Sequence, residues 1–463
     1  MGAKRSLTRV VQSSDDDVKT TMGCKTMKRK RSRMILNFVL YGVGSAYGAW
    51  RSPRTVPMAA HTARYFSSLG QLAEEAKFHS LFLADFLHLS PASAHDMQER
   101  LDPLMVLANV AADTNRIGLI ATASTTYAHP YTLARQFASL DHLSSGRAGW
   151  NIVTTMSPSA AANFGRDDHP EHDDRYRRAD EFVQVVKSLW NSWDIDAIRA
   201  DRGSGEYIGP GRVKPIDHHG QYFDVRGPLN VPRPPQGRPV LVQAGSSSAG
   251  IALAAHHADI VFTTQFDPDM SRSFIDVLSG EMARAGRQRT EVAVLPGLMP
   301  VVGRTRTEAR KLVAELAALS TVEEGMPLLR SIFGDLDLSM YKLDAPFPDV
   351  LPLLPPNAPR SRAEIFASMA KSENLSLREV TQRIAISSGH RMVVGSADDL
   401  ADDLQNWFEA GAADGFNILP AILPDDLKSF AEHVVPRLQD RGLFQTDYGG
   451  ATLRDNLELS FEH

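Results

Sequence analysis

The sequence predicts an α/β fold, a (β/α)8 TIM barrel. From Met34 onward, short β-branched and apolar runs alternate with longer segments of helical period, the pattern of parallel strands joined by crossover helices. Eight such runs can be counted, and eight strands each followed by a helix favour a closed barrel over an open sheet. Polar side chains collect at the carboxyl ends of several runs, where a barrel builds its active site.

The strands fall at 34–40, 80–84, 117–121, 148–153, 239–244, 259–262, 292–302 and 415–419. Between them, Pro130–Leu143 sets Leu133, Phe137 and Leu140 on one face at i, i+4 and i+7, and Ser144-Ser145-Gly146 ends that helix. Residues 180–193 place Phe182, Val185, Val186, Leu189 and Trp190 on one stripe, and 397–410 repeats the arrangement, closed by Gly411. Two stretches break the rhythm: 194–237, rich in Gly and Pro, and 326–390, which carries the tract Leu351-Pro352-Leu353-Leu354-Pro355-Pro356. Connections in compact domains are otherwise short, so both read as long insertions rising at the C-terminal face over the active site. The chain thus divides into an extension, 1–33, and one barrel domain, 34–463.

Composition narrows the class. A chain of 463 residues buries a large core without staples, and 43% hydrophobic with 23% charged residues exclude disorder as its theme. The single Cys24 excludes an intrachain disulfide framework and a cysteine-based zinc cluster, and it fits a reducing, cytoplasmic setting. The most apolar run, 34–43, is about half the roughly 20 residues of a membrane helix, and Asn37 interrupts it. Residues 1–33 hold ten Lys/Arg against three Asp, so the remaining 430 carry about −12, which argues against a nucleic-acid surface. The extension lacks an apolar core and contains Asp15-Asp16-Asp17, fitting neither a secretory signal nor a transit peptide. It reads as a solvated tail, or as an upstream start with Met27 or Met34 the native one.

Cofactor signatures come next. Gly42-Val43-Gly44 follows the first strand, but the third glycine of a dinucleotide fingerprint would fall on Tyr47, and no helix-forming segment follows. Neither a Walker A sequence nor a G-x-S-x-G elbow occurs. Gln243-Ala244-Gly245-Ser246-Ser247-Ser248-Ala249-Gly250 lies between an apolar strand and a helix-like segment. Such a loop can cradle a phosphate on small residues, hydroxyls and free N–H groups, or serve as an ordinary N-cap; spacing leaves both open. The run Asp167-Asp168-His169-Pro170-Glu171-His172-Asp173-Asp174 lacks the turn that would gather neighbours onto one metal ion, and reads as a solvated loop. His256-His257 falls at a helix end, where positive charge is favourable, and His218-His219 shows no ligand spacing. Asp85, the group Thr122, Ser124, Thr125 and Thr126, and Asn151 end three different strands. Together they outweigh any one of them alone, although Asp85 could equally cap a helix.

These segments in order resemble the nitrilotriacetate and dibenzothiophene-sulfone monooxygenase family, a branch of the bacterial luciferase-like FMN-dependent monooxygenases. The resemblance rests on Ala49-Trp50-Arg51, Leu81-Phe82-Leu83-Ala84-Asp85, the run Ser139 to Thr154 (SLDHLSSGRAGWNIVT), Asn163-Phe164-Gly165, Gly227-Pro228-Leu229-Asn230, Gln243-Ala244-Gly245-Ser246-Ser247, Asp414-Gly415-Phe416-Asn417 and Arg441-Gly442-Leu443-Phe444. It implies a barrel of luciferase-like type with FMN across the strand ends, reduced by a separate NAD(P)H-dependent flavin reductase. With dioxygen, one oxygen atom enters a small organic substrate and the other leaves as water. The substrate classes it implies are organosulfur, aminopolycarboxylate and alkane-like compounds.

Carried over, Asp85 and Thr125 contact the flavin ring or ribityl chain, and Asn151 lies beside the ring. His172 and Tyr176 bind the ribityl-phosphate side, and Ser246 and Ser247 the phosphate. A homodimer or homotetramer is implied, without metal, membrane or nucleic-acid partners. One departure stands out. Relatives often carry a His pair before Ala-Trp-Arg and a His after it, whereas this chain reads Gly44-Ser45-Ala46-Tyr47-Gly48 before it and Ser52-Pro53 after it. Any catalytic role of those histidines is either lost here or taken by Tyr47, Ser52 or His88, and the alternative functions are a deazaflavin-dependent oxidoreductase or a catalytically degenerate flavin-binding protein.

Overall fold

The computed structural model describes residues 31–89, 97, 99–155, 157–355 and 360–459. The expectations for residues 1–30, with Cys24, Met27 and most of the extension's Lys and Arg residues, lie outside them, as does Pro356. Eleven strands are seen among the described residues: β1 (Ile35–Leu40), β2 (Ser80–Leu83), β3 (Gly118–Ser124), β4 (Ala148–Val153), β5 (His218–His219), β6 (Asp224–Val225), β7 (Val240–Gln243), β8 (Ile260–Thr263), β9 (Ala293–Val302), β10 (Arg391–Gly395) and β11 (Gly415–Ile418). Eight of them, in the order β9-β11-β1-β2-β3-β4-β7-β8, pair in parallel, and β8 returns to β9 to close the barrel. These are the eight strands expected from sequence.

Helices follow the strands: α1 (Ala63–Glu75), α2 (Pro103–Asp113), α3 (Pro130–Leu143), α4 (His172–Trp190), α5 (Ser248–His257), α6 (Pro268–Arg284), α7 (Arg306–Leu319), α8 (Val322–Ile332), α9 (Arg360–Ser372), α10 (Leu377–Ser387) and α11 (Ala397–Glu409), with the short α12 (Asp425–Ser429), α13 (Val435–Asp440) and α14 (Leu453–Asn456) near the C-terminus. Strand residues alternate between two cores. Ile35, Val39, Phe82, Ile120, Val242, Ile260, Leu295 and Leu419 fill the barrel, and Leu453 and Leu457 join them from the C-terminal segment. Leu36, Phe38, Leu81, Leu119, Trp150 and Leu241 point outward beneath the helices.

The C-terminal segment is locked by charge as well as packing. Asp259 accepts from Arg238 at 2.7 and 3.0 Å and from Arg454 at 3.1 Å, with all three side chains buried. Arg31, assigned from sequence to the extension, is buried and donates to the Leu457 carbonyl, so the folded body already includes it.

The two insertions part company. Residues 194–237 join the end of α4 to the start of β7. A helix that follows a barrel strand carries the chain back to the amino-terminal side, so this stretch does not rise over the C-terminal face as expected. It runs along the outer flank of α4, where Phe223 packs on Phe182 at 5.5 Å and Trp193 Nε1 donates to Leu229 O. The described parts of 326–390, with the residues just before them, pack against the loops that follow the strand ends. Arg51, in the loop after β1, holds Leu319 O and the buried Glu324; Tyr47 N donates to Ala385 O; and Phe266, just past β8, packs on Phe366. The tenth strand, unforeseen in the sequence, continues this cap: β10 pairs with Leu298–Val302, the outer half of β9.

Candidate active site

Three buried amides, Asn151, Asn37 and Asn417, line the inner wall. On β4, Asn151 faces the barrel interior and its Nδ2 donates to Thr122 Oγ1 at 2.9 Å, while that hydroxyl donates to Leu83 O at 2.7 Å. The chain of bonds fixes the amide plane and leaves Asn151 Oδ1 buried with no protein partner. An acceptor in that condition costs about 1–3 kcal/mol unless a ligand N–H reaches it. Deeper in the barrel Asn37 Nδ2 donates to Asn417 Oδ1 at 3.1 Å, and Asn417 Nδ2 to Leu295 O at 2.9 Å.

The serine loop and the head of α4 converge. Ser247 Oγ accepts from Gly250 N at 3.1 Å, so this residue does cap α5. The loop is also tight around a neighbouring hydroxyl: a Cβ on Gly245 would sit 2.6 Å from Gln243 Nε2 and 3.4 Å from Tyr176 Oη, and one on Gly250 3.2 Å from Tyr176 Oη. Tyr176 reaches the loop because α4 begins at His172 rather than near 180, and His172 lies one turn before it, ring centroids 4.9 Å apart. The acidic run is therefore helical from His172 onward, with Asp173 and Asp174 in the first turn where the dipole favours them. His172, Tyr176 and the loop that carries Ser246 and Ser247 thus share one corner at the N-terminus of α5. Gln243, the first residue of the loop read from sequence but not one of its expected cofactor contacts, ends β7 there with its Oε1 buried and without a protein partner.

Asp85 lies just past β2, half-buried, with Oδ1 accepting from Phe86 N at 2.9 Å. Burial pushes its carboxyl up, against the pull of the Phe86 N–H. It caps no helix: α2 is capped by Asp102, which accepts from Leu104 N and Met105 N. Thr125 is fully buried and its hydroxyl donates to Val153 O at 3.2 Å, tying β3 to β4.

The three catalytic candidates are held separately. Ser52 is buried and its Oγ accepts from Arg54 N at 3.3 Å within its own loop. His88 Nε2 lies 3.2 Å from Ser157 Oγ, joining the loops after β2 and β4. Tyr47 backs onto α10 through its amide. A further histidine went unnoticed in the sequence. His390, between α10 and β10, stacks on Phe262 at 5.5 Å and 27°, and only a glycine at 297 leaves room for its ring. A Gly-His pair before a short strand offered no periodic signal for it.

A closed parallel barrel with polar side chains at the carboxyl ends of its strands has the architecture on which (β/α)8 enzymes build their active sites. The chain belongs to the luciferase-like monooxygenase family, whose model matches residues 41–414. It is a flavin-dependent monooxygenase of that family. It is 42% identical to N-acetyl-S-(2-succino)cysteine monooxygenase of Bacillus subtilis (strain 168) over 433 residues, covering 94% of this chain and 98% of that one. It is 43% identical to nitrilotriacetate monooxygenase component A of Aminobacter aminovorans, covering 92% and 97%. Among solved structures, a riboflavin lyase with modified FMN and riboflavin superposes with a TM-score of 0.82 at 32% identity, covering 92% and 95%. The resemblance drawn from the ordered motifs is borne out. No described helix is long and apolar enough to cross a membrane.

Proposed function

We propose that the protein oxygenates a small organic substrate, of organosulfur, aminopolycarboxylate or alkane-like type, with reduced FMN supplied by a separate NAD(P)H-dependent flavin reductase. Two observations carry the reading: the corner where Tyr176 and His172 of α4 meet the serine loop at the head of α5, and the buried, unpartnered Asn151 Oδ1 on β4, the strand next to β7 from which that loop leaves. When bound, reduced FMN supplies the electrons that activate dioxygen, so that one oxygen atom enters the substrate and the other leaves as water.

The chain's own residues orient the cofactor and keep bulk water out. Ser246, Ser247 and the first α5 amides hold the phosphate, where partial positive charge at the helix start favours a dianion. His172 and Tyr176 flank the ribityl side, and Gln243 offers its buried Oε1 beside them. Asn151 Oδ1, buried without a protein partner, would accept from an N–H of the flavin ring, and Asp85, just past β2, would meet the ring or ribityl chain. Thr125 serves by fixing the β3–β4 strand ends, its hydroxyl being spent on Val153 O. The cap built from the described part of 326–390 would exclude water, and His390, stacked on Phe262, joins Tyr47, Ser52 and His88 as a candidate to hold a proton near the substrate. The active form is a cytoplasmic homodimer or homotetramer, which light scattering will distinguish.

Reconstitution with FMN and a flavin reductase tests the reading: oxygen uptake with product heavier by one oxygen atom is expected in a screen of the three substrate classes. Tight binding of a deazaflavin with none of FMN overturns it in favour of hydride transfer. FMN binding without oxygenation of any substrate assigns the chain to a degenerate flavin-binding protein.

A further inference from the structure

On the outer flank of the barrel, Asp180 of α4 faces the last two residues of α5. His257 Nε2 lies 2.7 Å from Asp180 Oδ1 and His256 Nδ1 3.6 Å from the same oxygen. One ligand atom from each residue lies within 4.8 Å of the other two. The two imidazoles stand nearly perpendicular, at 82°, so their nitrogens approach the carboxylate from different directions.

We propose that Asp180, His256 and His257 form a binding site for a borderline divalent transition ion of the zinc type, which braces α4 against α5. Two imidazoles and one carboxylate are a donor set that Zn2+ and its neighbours accept and that Mg2+ and Ca2+, which demand oxygen, do not. Zinc bonds of about 2.0–2.2 Å require ligand atoms some 3–4 Å apart, so the 3.6 Å Asp180–His256 spacing needs little change, while the 2.7 Å Asp180–His257 hydrogen bond must open by a small turn of the half-exposed Asp180 carboxylate. His256 is exposed, which lets its ring swing inward, while His257 is buried and fixed.

The carboxylate is already oriented. Gln184, one turn along α4, donates from Nε2 to Asp180 Oδ2 at 2.6 Å and leaves Oδ1 turned toward the histidines, the kind of outer partner that metal ligands use. His257 also borders a surface pocket of about 600 Å³ lined by Gln184, Lys187, Ser188, Asn191 and Ile216, so a fourth position can be filled from solvent. Lys187 on that rim favours an anionic fourth ligand such as hydroxide or a carboxylate. Asp180 is one turn below Tyr176 on α4, and His256 and His257 close the helix that the serine loop opens. The brace therefore joins the two helices that carry the cofactor corner, although the metal site stands whether or not that corner holds a phosphate.

The test is titration of the chelator-stripped full chain with Zn2+ by calorimetry, with Co2+ as a spectroscopic substitute, for the wild type, His256→Ala and Asp180→Asn. The wild type is expected to bind stoichiometrically, to show visible Co2+ d–d bands of a low-coordinate nitrogen and oxygen site, and to melt at a higher temperature with zinc. Both variants, which keep the buried His257, are expected to lose affinity by more than the roughly 10- to 100-fold that an outer-shell partner contributes. Equal binding by wild type and His256→Ala overturns the proposal by placing the ion elsewhere. Absence of binding by the wild type overturns it too, leaving Asp180–His257 as a metal-free hydrogen bond.

Discussion

Asn151→Ala separates a ligand-binding amide from a structural one. In the folded protein the amide makes one bond, from Nδ2 to Thr122 Oγ1, and leaves Oδ1 unmet. Truncation forfeits about 0.5–1.5 kcal/mol for that bond but removes a buried acceptor whose desolvation costs about 1–3 kcal/mol. The two largely offset, so urea unfolding should place the variant within about 1 kcal/mol of the wild type. Reduced FMN, in contrast, loses an acceptor, and anaerobic fluorescence titration should show affinity weaker by about 2- to 13-fold, the equivalent of 0.5–1.5 kcal/mol. Thr122→Val is the companion: it leaves the Asn151 side chain but frees its plane, and should weaken FMN binding by less. An Asn151→Ala protein with wild-type affinity for reduced FMN and a stability loss above about 2 kcal/mol would refute the reasoning.

Other expectations concern the corner, the foot and the cap. Ser246→Ala with Ser247→Ala should weaken FMN binding by a few kcal/mol at most, since bonds to a charged group are worth about 1.5–3 kcal/mol each. Loss of the Ser247 cap should add about 0.5–2 kcal/mol of destabilisation, and unaltered FMN affinity would remove the phosphate role. Asp259→Asn leaves Arg238 and Arg454 buried without their counter-charge and should cost about 3–5 kcal/mol in denaturant unfolding; a loss under 1 kcal/mol would show the clasp to be dispensable. Burial alone would raise the Asp259 carboxyl, but Arg238 and Arg454 hold it well below the usual carboxylate range. A depressed acid stabilises above its unfolded value of 3.8, and that contribution fades as pH falls below it, so the variant's stability should vary less with pH there than the wild type's. Tryptic cleavage after Arg330 or Lys342 in the cap should slow when reduced FMN is bound, and an unchanged rate would count against closure.

The barrel was legible because its strands are short, apolar and bounded by turn residues, and every expected strand recurs with ends shifted by a few residues. β10 was not, because Arg391–Gly395 is half-exposed at both its Met and Val positions and pairs only with the outer half of β9, so it lacks the apolar run of a barrel stave. The head of α4 escaped because His172–Ala179 is charged and polar along most of its length, and helix period was sought in apolar residues alone. That same head brings His172 and Tyr176 to the serine loop, a proximity that only the family resemblance had suggested. The flank position of 194–237 was misjudged because length marked it as functional, whereas which end of the barrel it joins depends on whether it follows a strand or a helix. His390 shows the converse: a single residue in an irregular insertion is placed over the barrel by packing against Phe262, and no local pattern encodes it.

β9 belongs to two structures at once. Residues Ala293–Pro296 pair with β8 and Gly297–Leu298 with β11 as part of the closed wall, while Leu298–Val302 form the ladder with β10. The cap is consequently rooted in the barrel like a handle forged from the same rod as the vessel. Any opening over the strand ends must flex between α7 and α10, above that root, because tilting β10 would prise apart hydrogen bonds shared with the wall. Substitutions that weaken the β9–β10 ladder are thereby expected to loosen the cap and the barrel rim together.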